Sequence, residues 1–515
     1  MSTFAPTNPD TGTDPYALKA RRLGIDTYQE FVVYLRADSH VCKSEGFESL
    51  SRVELHWDDK HLVATLNVVT VDGFDALAPD EAGLSETAWR AFGGRDGDAV
   101  RLAHPAPVGS FAHVRAKIFG HAFADEALRE IIADIREGHY STVEMAAFLT
   151  ACAGNRMNAD ETVALTRAMV AEGARLHWLQ RQVVDKHCVG GVPGNRTTLI
   201  LVPIVAALGL TIPKTSSRAI TSPSGTADTM ETLAPVSLDA AAMRKVVEAE
   251  GGCIVWGGGV NLSPVDDILI RVERPLDLDG EAQMVASVIS KKVAAGSTHA
   301  LIDIPIGPTA KIRSEIAGHT LAARLIEVGR TLGLEVDVIL TDGSHPVGRG
   351  IGPALEARDV LAVLRNEAQA PADLRERALL LAGRLLEHAG HAAAGHGAAL
   401  ARTVLDDGRA WRKFGAIAHA QGGLREPAIA HRRHVIVAAT AGTVARIDNR
   451  RLARIAKLAG APRAPGAGVD LLAPAGGHVS AGQPLYAVHA ESPGELAYAL
   501  DYARSQNNVL EIAPE

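Results

Sequence analysis

Cysteine is scarce in this chain. The four present, Cys42, Cys152, Cys188 and Cys253, are too few and too scattered across 515 residues for a disulfide framework or a structural zinc site, and they point to a reducing, cytoplasmic setting. An apolar leader is missing as well: the opening MSTFAPTNPDTGTDPYALKARRLG has no hydrophobic core of the kind a signal peptide requires and reads as a loose polar tail. The longest apolar run, residues 199–210, is broken by Pro203 and Gly209 and falls short of the roughly 20 residues that cross a bilayer, so no membrane association is expected. Positive charge is in deficit too. With 52 Lys and Arg against 60 Asp and Glu, the formal net charge is −8, which argues against a nucleic-acid partner because phosphate-backbone binding needs a basic surface. A local basic pocket for a small anion is left open.

Hydrophobic residues at 47%, charged residues at 22% and a mean hydropathy of +0.06 are globular values. At roughly 150 residues per domain the length suggests about three or four domains. The fold expected is multidomain α/β and α+β: a small β-rich N-terminal domain over residues 1–100, a helical domain over 101–175, a central, mostly parallel α/β domain over 176–425 and a C-terminal α+β domain over 426–515. Val53, Leu55 and Trp57 alternate with polar neighbours, Asp58-Asp59-Lys60 makes a turn, and the β-branched stretch 62–69 completes a hairpin. Asn158 with Glu161, and Ser141 with Glu144, have the spacing of helix N-terminal caps, the latter a capping box; Leu165, Ala168 and Met169 form an apolar stripe before Gly173. From Trp178, short apolar strands such as 182–184 and 335–340 alternate with glycine turns and helical segments, and chemistry is expected at their ends. Residues 434–440, 442–447 and 484–489 read as strands around a helix at 451–458. The segment 476–485 invites comparison with swinging-arm carrier domains, but no lysine follows Lys457, so the attachment point is missing.

The densest chemical signal is residues 185–198, DKHCVGGVPGNRTT, between a strand and a helix-like apolar run. Glycine lets backbone N–H groups approach an anion, Lys186 adds a positive charge, and Thr197 and Thr198 offer hydroxyls. No Gly-Lys-Ser/Thr closes the segment, so it is not a Walker A loop. A glycine loop alone is as well explained by a tight strand-to-helix turn. A second cluster, residues 215–228, carries seven Ser or Thr hydroxyls and Arg218. One crossover later in a parallel sheet, it falls on the same sheet edge as the first, which favours a shared phosphate and sugar pocket.

The Lys-His-x-x-Gly-Gly-Val core at 186–192, the Ser-Arg stretch with Gly-Thr-x-Asp at 225–228, and Ser-Val-Ile-Ser-Lys-Lys at 287–292 occur in that order. In these motifs, and over about residue 100 to the C-terminus, the chain resembles the thymidine and pyrimidine-nucleoside phosphorylase family, particularly the long branch that includes the archaeal AMP phosphorylases. The resemblance implies reversible phosphorolysis, in which inorganic phosphate attacks the anomeric carbon of a nucleoside and releases the base and a sugar 1-phosphate. The transition state is expected to be oxocarbenium-like, as in glycoside cleavage, with no carboxylate nucleophile. By the same resemblance Lys186, Thr198, Ser216 and Thr226 hold phosphate with Gly191 in the cradle, and His187 lies near sugar or base as a proton donor or hydrogen-bond partner. Ser287 and Lys291 contact the base. The long branch adds Ser217, Arg218, Ala219, Ile220, Thr221, Ser222 and Lys311 as nucleotide-binding positions and Asp279 as proton donor.

Departures from the short family members are Cys188 where a phosphate-contacting serine stands, and Arg271 and Arg274 straddling the place of the base-binding arginine. A phosphate on the sugar would suit the cations near Lys214 and Arg218, so a nucleoside-monophosphate substrate giving ribose 1,5-bisphosphate is the alternative to a nucleoside. Asp266-Asp267 is too sparse for Mg²⁺; no metal and no cofactor is expected, phosphate being a co-substrate. Anthranilate phosphoribosyltransferases, which use a diphosphate donor and Mg²⁺, are the runner-up chemistry, and a noncatalytic nucleotide-binding protein is the reading from another class. A homodimer or higher oligomer follows from the resemblance alone.

Overall fold

The computed structural model describes residues 16–70, 75–219, 222–276, 278, 280–506 and 508–514. It contains two compact units, one built from the chain up to Arg115 with Asp134–Met145, the other from Ala116–Ala133 with Ala146 onward.

The first unit is organised by six strands, β1 (Ala17–Arg22), β2 (Val32–Arg36), β3 (Arg52–Trp57), β4 (Lys60–Val69), β5 (Glu81–Leu84) and β6 (Ala99–Ala103). They close into a barrel in the order β1-β5-β2-β4-β3-β6. The hairpin expected at 53–69 is present as β3 and β4, paired antiparallel from Arg52–Thr65 to Trp57–Lys60, with Asp58 at φ 48° in its turn. Strict alternation puts Val53, Leu55 and Trp57 inside with Val33, Leu35, Leu66 and Leu84. Closure gives every strand two neighbours and removes the free edges that an open sheet exposes. The short strands β1 and β5, which pair in parallel, carry little pattern in the sequence: β1 reads ALKARR. The cap expected at Ser141 is a reciprocal box, because Ser141 and Glu144 exchange bonds.

In the second unit β7 (Val184–Cys188), β10 (His299–Ile306) and β11 (Glu335–Asp342) form a parallel sheet in the order β11-β10-β7, and β8 (Ile212–Ser216) pairs in parallel with β9 (Gly252–Trp256). The two groups are joined through the parallel bridge Val183–Thr211. One side is covered by the apolar helix Thr197–Ala207 with Ala372–His388 and Arg409–Ala420, whose Leu199, Leu385 and Phe414 are fully buried. Helices Ala159–Ala171, Glu281–Ala294 and Glu315–Thr331 supply Val163, Val285, Ile289 and Leu325 to a second core beneath β10. Asn158 caps Ala159–Ala171 in a second reciprocal box, with Glu161.

The C-terminal part has the sheet β12-β15-β17-β13 and the sheet β16-β14-β18, from β12 (Gly350–Ile351), β13 (Arg432–Val437), β14 (Gly442–Ile447), β15 (Gly468–Leu471), β16 (His478–Val479), β17 (Pro484–Ala490) and β18 (Leu510–Ala513). Helices Asn449–Leu458 and Pro493–Ser505 pack into their core through Leu452, Ile455 and Ala499. The segment before helix Pro353–Leu364 contributes β12, which pairs antiparallel with β15. No helix among the described residues is long and apolar enough to cross a membrane.

Candidate active site

The first motif is not wholly a loop. Lys186, His187 and Cys188 belong to β7, which begins at the last residue of the expected 182–184 strand and runs through Cys188 because Asp185 and Lys186 find buried partners. Lys186 has no exposed surface; its Nζ donates to Thr197 Oγ1 at 3.0 Å and lies 3.7 Å from Asp303 Oδ2 on β10. Asp303 also accepts from Thr341 Oγ1 at 2.6 Å. The hydroxyl that Lys186 reaches is thus that of Thr197, while Thr198 follows it in the first turn of the helix, also buried. Beyond Cys188 the chain turns through Gly190 (φ +96°), Gly191 (φ +90°) and Gly194 (φ +73°), a left-handed backbone that favours glycine. A Cβ on Gly191 would sit 2.4 Å from the Lys311 amide nitrogen, so the glycine turn is pressed against the segment that carries Lys311.

The second motif likewise begins on a strand, with Thr215 and Ser216 closing β8, and ends in a helix, Thr226–Glu231. Ser216 Oγ is buried without a hydrogen-bond partner among the described residues, an unmet demand of the sort a bound oxygen atom satisfies. Asp228 folds the turn back on itself by accepting from the amides of Ala219 at 2.6 Å and Gly225 at 2.8 Å. Ser222 Oγ donates to the Ser224 carbonyl at 2.7 Å. Ser217 is exposed. Arg218 grips Glu231 through two nitrogens at 2.5 and 2.9 Å, reaches Asp228 at 3.3 Å, and stacks 5.0 Å above the Trp256 ring. Ile220 and Thr221 lie outside the described residues.

The two turns meet through Arg196, the residue before the Thr197–Ala207 helix. Its guanidinium pairs with Glu356, donates to the Ser224 carbonyl and comes within 3.5 Å of Thr226 Oγ1. Lys186 and Thr226 are therefore tied, through Thr197 and Arg196, into one region at the ends of β7 and β8.

Buried charge surrounds this region. Asp185 accepts from Lys292 Nζ at 2.7 Å and lies 3.3 Å from Lys214 Nζ, which also donates to the Thr215 carbonyl at 2.5 Å. Among the described residues, Lys186, Lys214 and Lys292 lie against Asp185 and Asp303, all five nearly or fully buried. Burial combined with the Lys292 charge pulls Lys214 down to about 7 despite Asp185, so at neutral pH this lysine is only partly protonated. Burial, then Lys292, Lys214, Lys291 and Lys186, hold His187 well below the usual imidazole range. At neutral pH it is an uncharged imidazole that can donate or accept a hydrogen bond. Burial and Asp303 push the Cys188 thiol up to about 12, which suits a packed thiol and not a nucleophile.

Ser287 and Lys291 stand one turn apart on the Glu281–Ala294 helix, both part-exposed. Lys291 Nζ lies 2.5 Å from Asp266, and its field reaches His187, so this helix face belongs to the same neighbourhood. Asp266 pairs with Lys291, and the carboxyl of Asp267 is raised by burial. Asp279 lies outside the described residues.

Sequence reasoning missed Asp185, Lys292, Asp303 and the Arg196–Glu356 pair. A single carboxylate inside the apolar run Leu-Ile-Asp-Ile at Asp303 was the available signal, because a strand buried on both faces carries a charge only when something pairs with it.

The helical bundle domain of a glycosyl transferase family matches residues 113–173 and its a/b domain residues 180–411; a pyrimidine nucleoside phosphorylase C-terminal domain matches 443–509. The solved structure of anthranilate phosphoribosyltransferase from Thermus thermophilus superposes with a TM-score of 0.50 at 20% identity, over 60% of this chain and 99% of that one, a likeness of fold. Fold and matches define a glycosyltransferase of the pentosyltransferase class. A protein of Polaromonas sp. (strain JS666 / ATCC BAA-500) bearing the name "Putative thymidine phosphorylase" is 62% identical over 98% of this chain and 99% of its own; one of Acidovorax sp. (strain JS42), "Putative thymidine phosphorylase 1", is 61% identical over 97% of each. The chain belongs to the thymidine and pyrimidine-nucleoside phosphorylase family.

Proposed function

We propose that the protein catalyses reversible phosphorolysis of the N-glycosidic bond of a nucleoside, in the manner of a thymidine phosphorylase. The observation that carries this reading is the junction of two hydroxyl- and glycine-rich turns at a cluster of buried lysines, beside a Ser216 hydroxyl that has no hydrogen-bond partner among the described residues. Such a site suits a negative group with several acceptor oxygens. Inorganic phosphate supplies it: Lys186, Ser216, Thr226 and the Gly191 backbone orient the anion, one oxygen attacks the anomeric carbon, and the glycosidic bond breaks with its electron pair going to the base. Asp279 is the donor proposed for the proton the base takes up, on the family resemblance. Neutral His187 contributes a hydrogen bond. Ser287 and Lys291 hold the base, and holding both reactants in line supplies much of the acceleration.

A nucleoside is favoured over a nucleoside monophosphate by the pairing of the cations that a second phosphate would need. Lys214 is taken by Asp185, and Arg218 by Glu231 and Asp228. The test is incubation with thymidine, uridine, AMP, CMP and UMP, with and without phosphate, followed by detection of free base. Base released only with phosphate, from nucleosides, is the expected result. Turnover of the monophosphates alone would replace the substrate, and nucleotide binding without any turnover would overturn the enzymatic reading.

A further inference from the structure

Arg196 is not among the residues that the family resemblance assigns to phosphate or nucleoside, yet its side chain reaches from the first turn to the second. Resting on the phosphorolysis reading above, we propose that Arg196 is a positioning residue that sets the spacing of the two anion-binding turns and thereby the affinity for phosphate.

Its own backbone ends the glycine turn and leads directly into Thr197, the partner of Lys186. Its side chain is 12% exposed and crosses to the other turn. Nη2 donates to the Ser224 carbonyl and Nη1 approaches Thr226 Oγ1 at 3.5 Å, the weakest of its contacts. Nε is held from behind by Glu356, which is 1% exposed. Glu356 is fixed in turn: Oε2 accepts from Thr229 Oγ1 at 3.0 Å and Oε1 from the Gly352 amide at 3.2 Å. Thr229 Oγ1 also lies 2.8 Å from Ser224 Oγ, which closes the ring of contacts back onto the second turn.

Glu356 neutralises the guanidinium, so the pair brings no net charge to the oxyanion. What it brings is a planar fork with several donors in fixed directions, one set used on the carboxylate and the other on the second turn. A lysine ammonium, a point charge on a flexible stem, reaches Glu356 but does not span the remaining acceptors. The hydrogen bonds described for Arg196 end on Glu356, Ser224 and Thr226, not on the helix bearing Ser287 and Lys291. Loosening Arg196 therefore acts on the phosphate half of the site.

The experiment compares wild type with Arg196→Ala, Arg196→Lys and Glu356→Gln by steady-state kinetics in phosphate and nucleoside, with phosphate binding measured by calorimetry and folding by circular dichroism. For folded Arg196→Ala, KM for phosphate rises about tenfold or more while KM for nucleoside stays within about threefold, as loss of charge-assisted bonds at one subsite requires. Added guanidinium restores part of the loss, Arg196→Lys does not restore it, and Glu356→Gln shifts phosphate KM the same way. A phosphate KM unchanged within about twofold, equal rises in both KM values, or full activity in Arg196→Lys would each overturn the inference. If Arg196→Ala does not fold, the lysine and glutamine variants decide by the same split. Should wild type release no base, the phosphorolysis reading fails instead, and calorimetry still decides the role of Arg196: weaker phosphate binding in the variants supports it, and equal binding overturns it.

Discussion

Asp185 on β7 accepts a hydrogen bond from Lys292 at 2.7 Å, with the carboxylate 1% and the lysine 2% exposed. Because Lys214 leans on the same carboxylate, Asp185 faces two buried lysines next to Lys186. Replacing it with asparagine leaves both lysines without a counter-charge. Breaking a buried pair from one side costs about 3–5 kcal/mol, so Asp185→Asn is expected to lower the free energy of urea unfolding by an amount of that order.

The depressed pKa of Lys214 gives the fold a pH dependence of defined sign. Its ordinary value is 10.5 and the folded protein holds it near 7. Between these values the unfolded chain keeps the proton and the folded chain has released it, so unfolding takes up a proton and raising the pH favours the fold. The penalty is fully present below about 7 and fades as pH rises towards 10.5. Wild type is therefore expected to show a steeper rise of Tm between about pH 7 and 9.5 than Lys214→Met, measured by calorimetry. Saturating phosphate, which favours the protonated lysine, is expected to flatten the wild-type slope.

Gly191→Ala tests the tight approach of the glycine turn to Lys311. The substitution places a methyl group 2.4 Å from a backbone nitrogen at a residue with φ +90°. Strain of this kind costs about 1–3 kcal/mol, and the turn can relieve it only by moving. KM for phosphate is expected to rise, with KM for nucleoside affected less.

Lys186→Ala and Asp279→Asn should separate anion binding from chemistry. The first removes a fully buried cation and is expected to impair phosphate use. The second is expected to lower kcat with phosphate KM little changed, the signature of an interaction made only in the transition state. Retention of full activity in both variants would show that the site lies elsewhere.

Cys188→Ser is expected to remain active. The thiol is protonated at neutral pH, so no step depends on a thiolate, and a hydroxyl is the better donor beside phosphate. Equal or lower phosphate KM supports this; loss of turnover counts against it.

Much of this arrangement was legible in the sequence because it rests on local rules. The β3–β4 hairpin follows from alternation around Asp58-Asp59, and the Asn158 box from the spacing of a cap and an acid. The two glycine- and hydroxyl-rich turns were visible because clustered glycines and hydroxyls are conspicuous in one dimension. What escaped notice depends on residues distant along the chain. Asp185 and Lys292 lie 107 residues apart and Arg196 and Glu356 160, each pair separated by several elements, so no window of sequence contains either pair. The extent of β7 was misjudged for the same reason: a stretch containing Asp, Lys and His reads as polar loop until the partners that allow its burial are known.

The two-residue strand β12 has a consequence for how the molecule can be taken apart. Gly352 lies so close to Ala467 that a Cβ would fall 2.4 Å from its carbonyl oxygen, and Gly468 stands in the same relation to Ile351 at 2.1 Å. The C-terminal sheet is in this way sewn into the chain just ahead of the helix that carries Glu356. A protein cut short after residue 425 would lose the strand that β12 pairs with and bare a raw seam just ahead of the helix bearing Glu356.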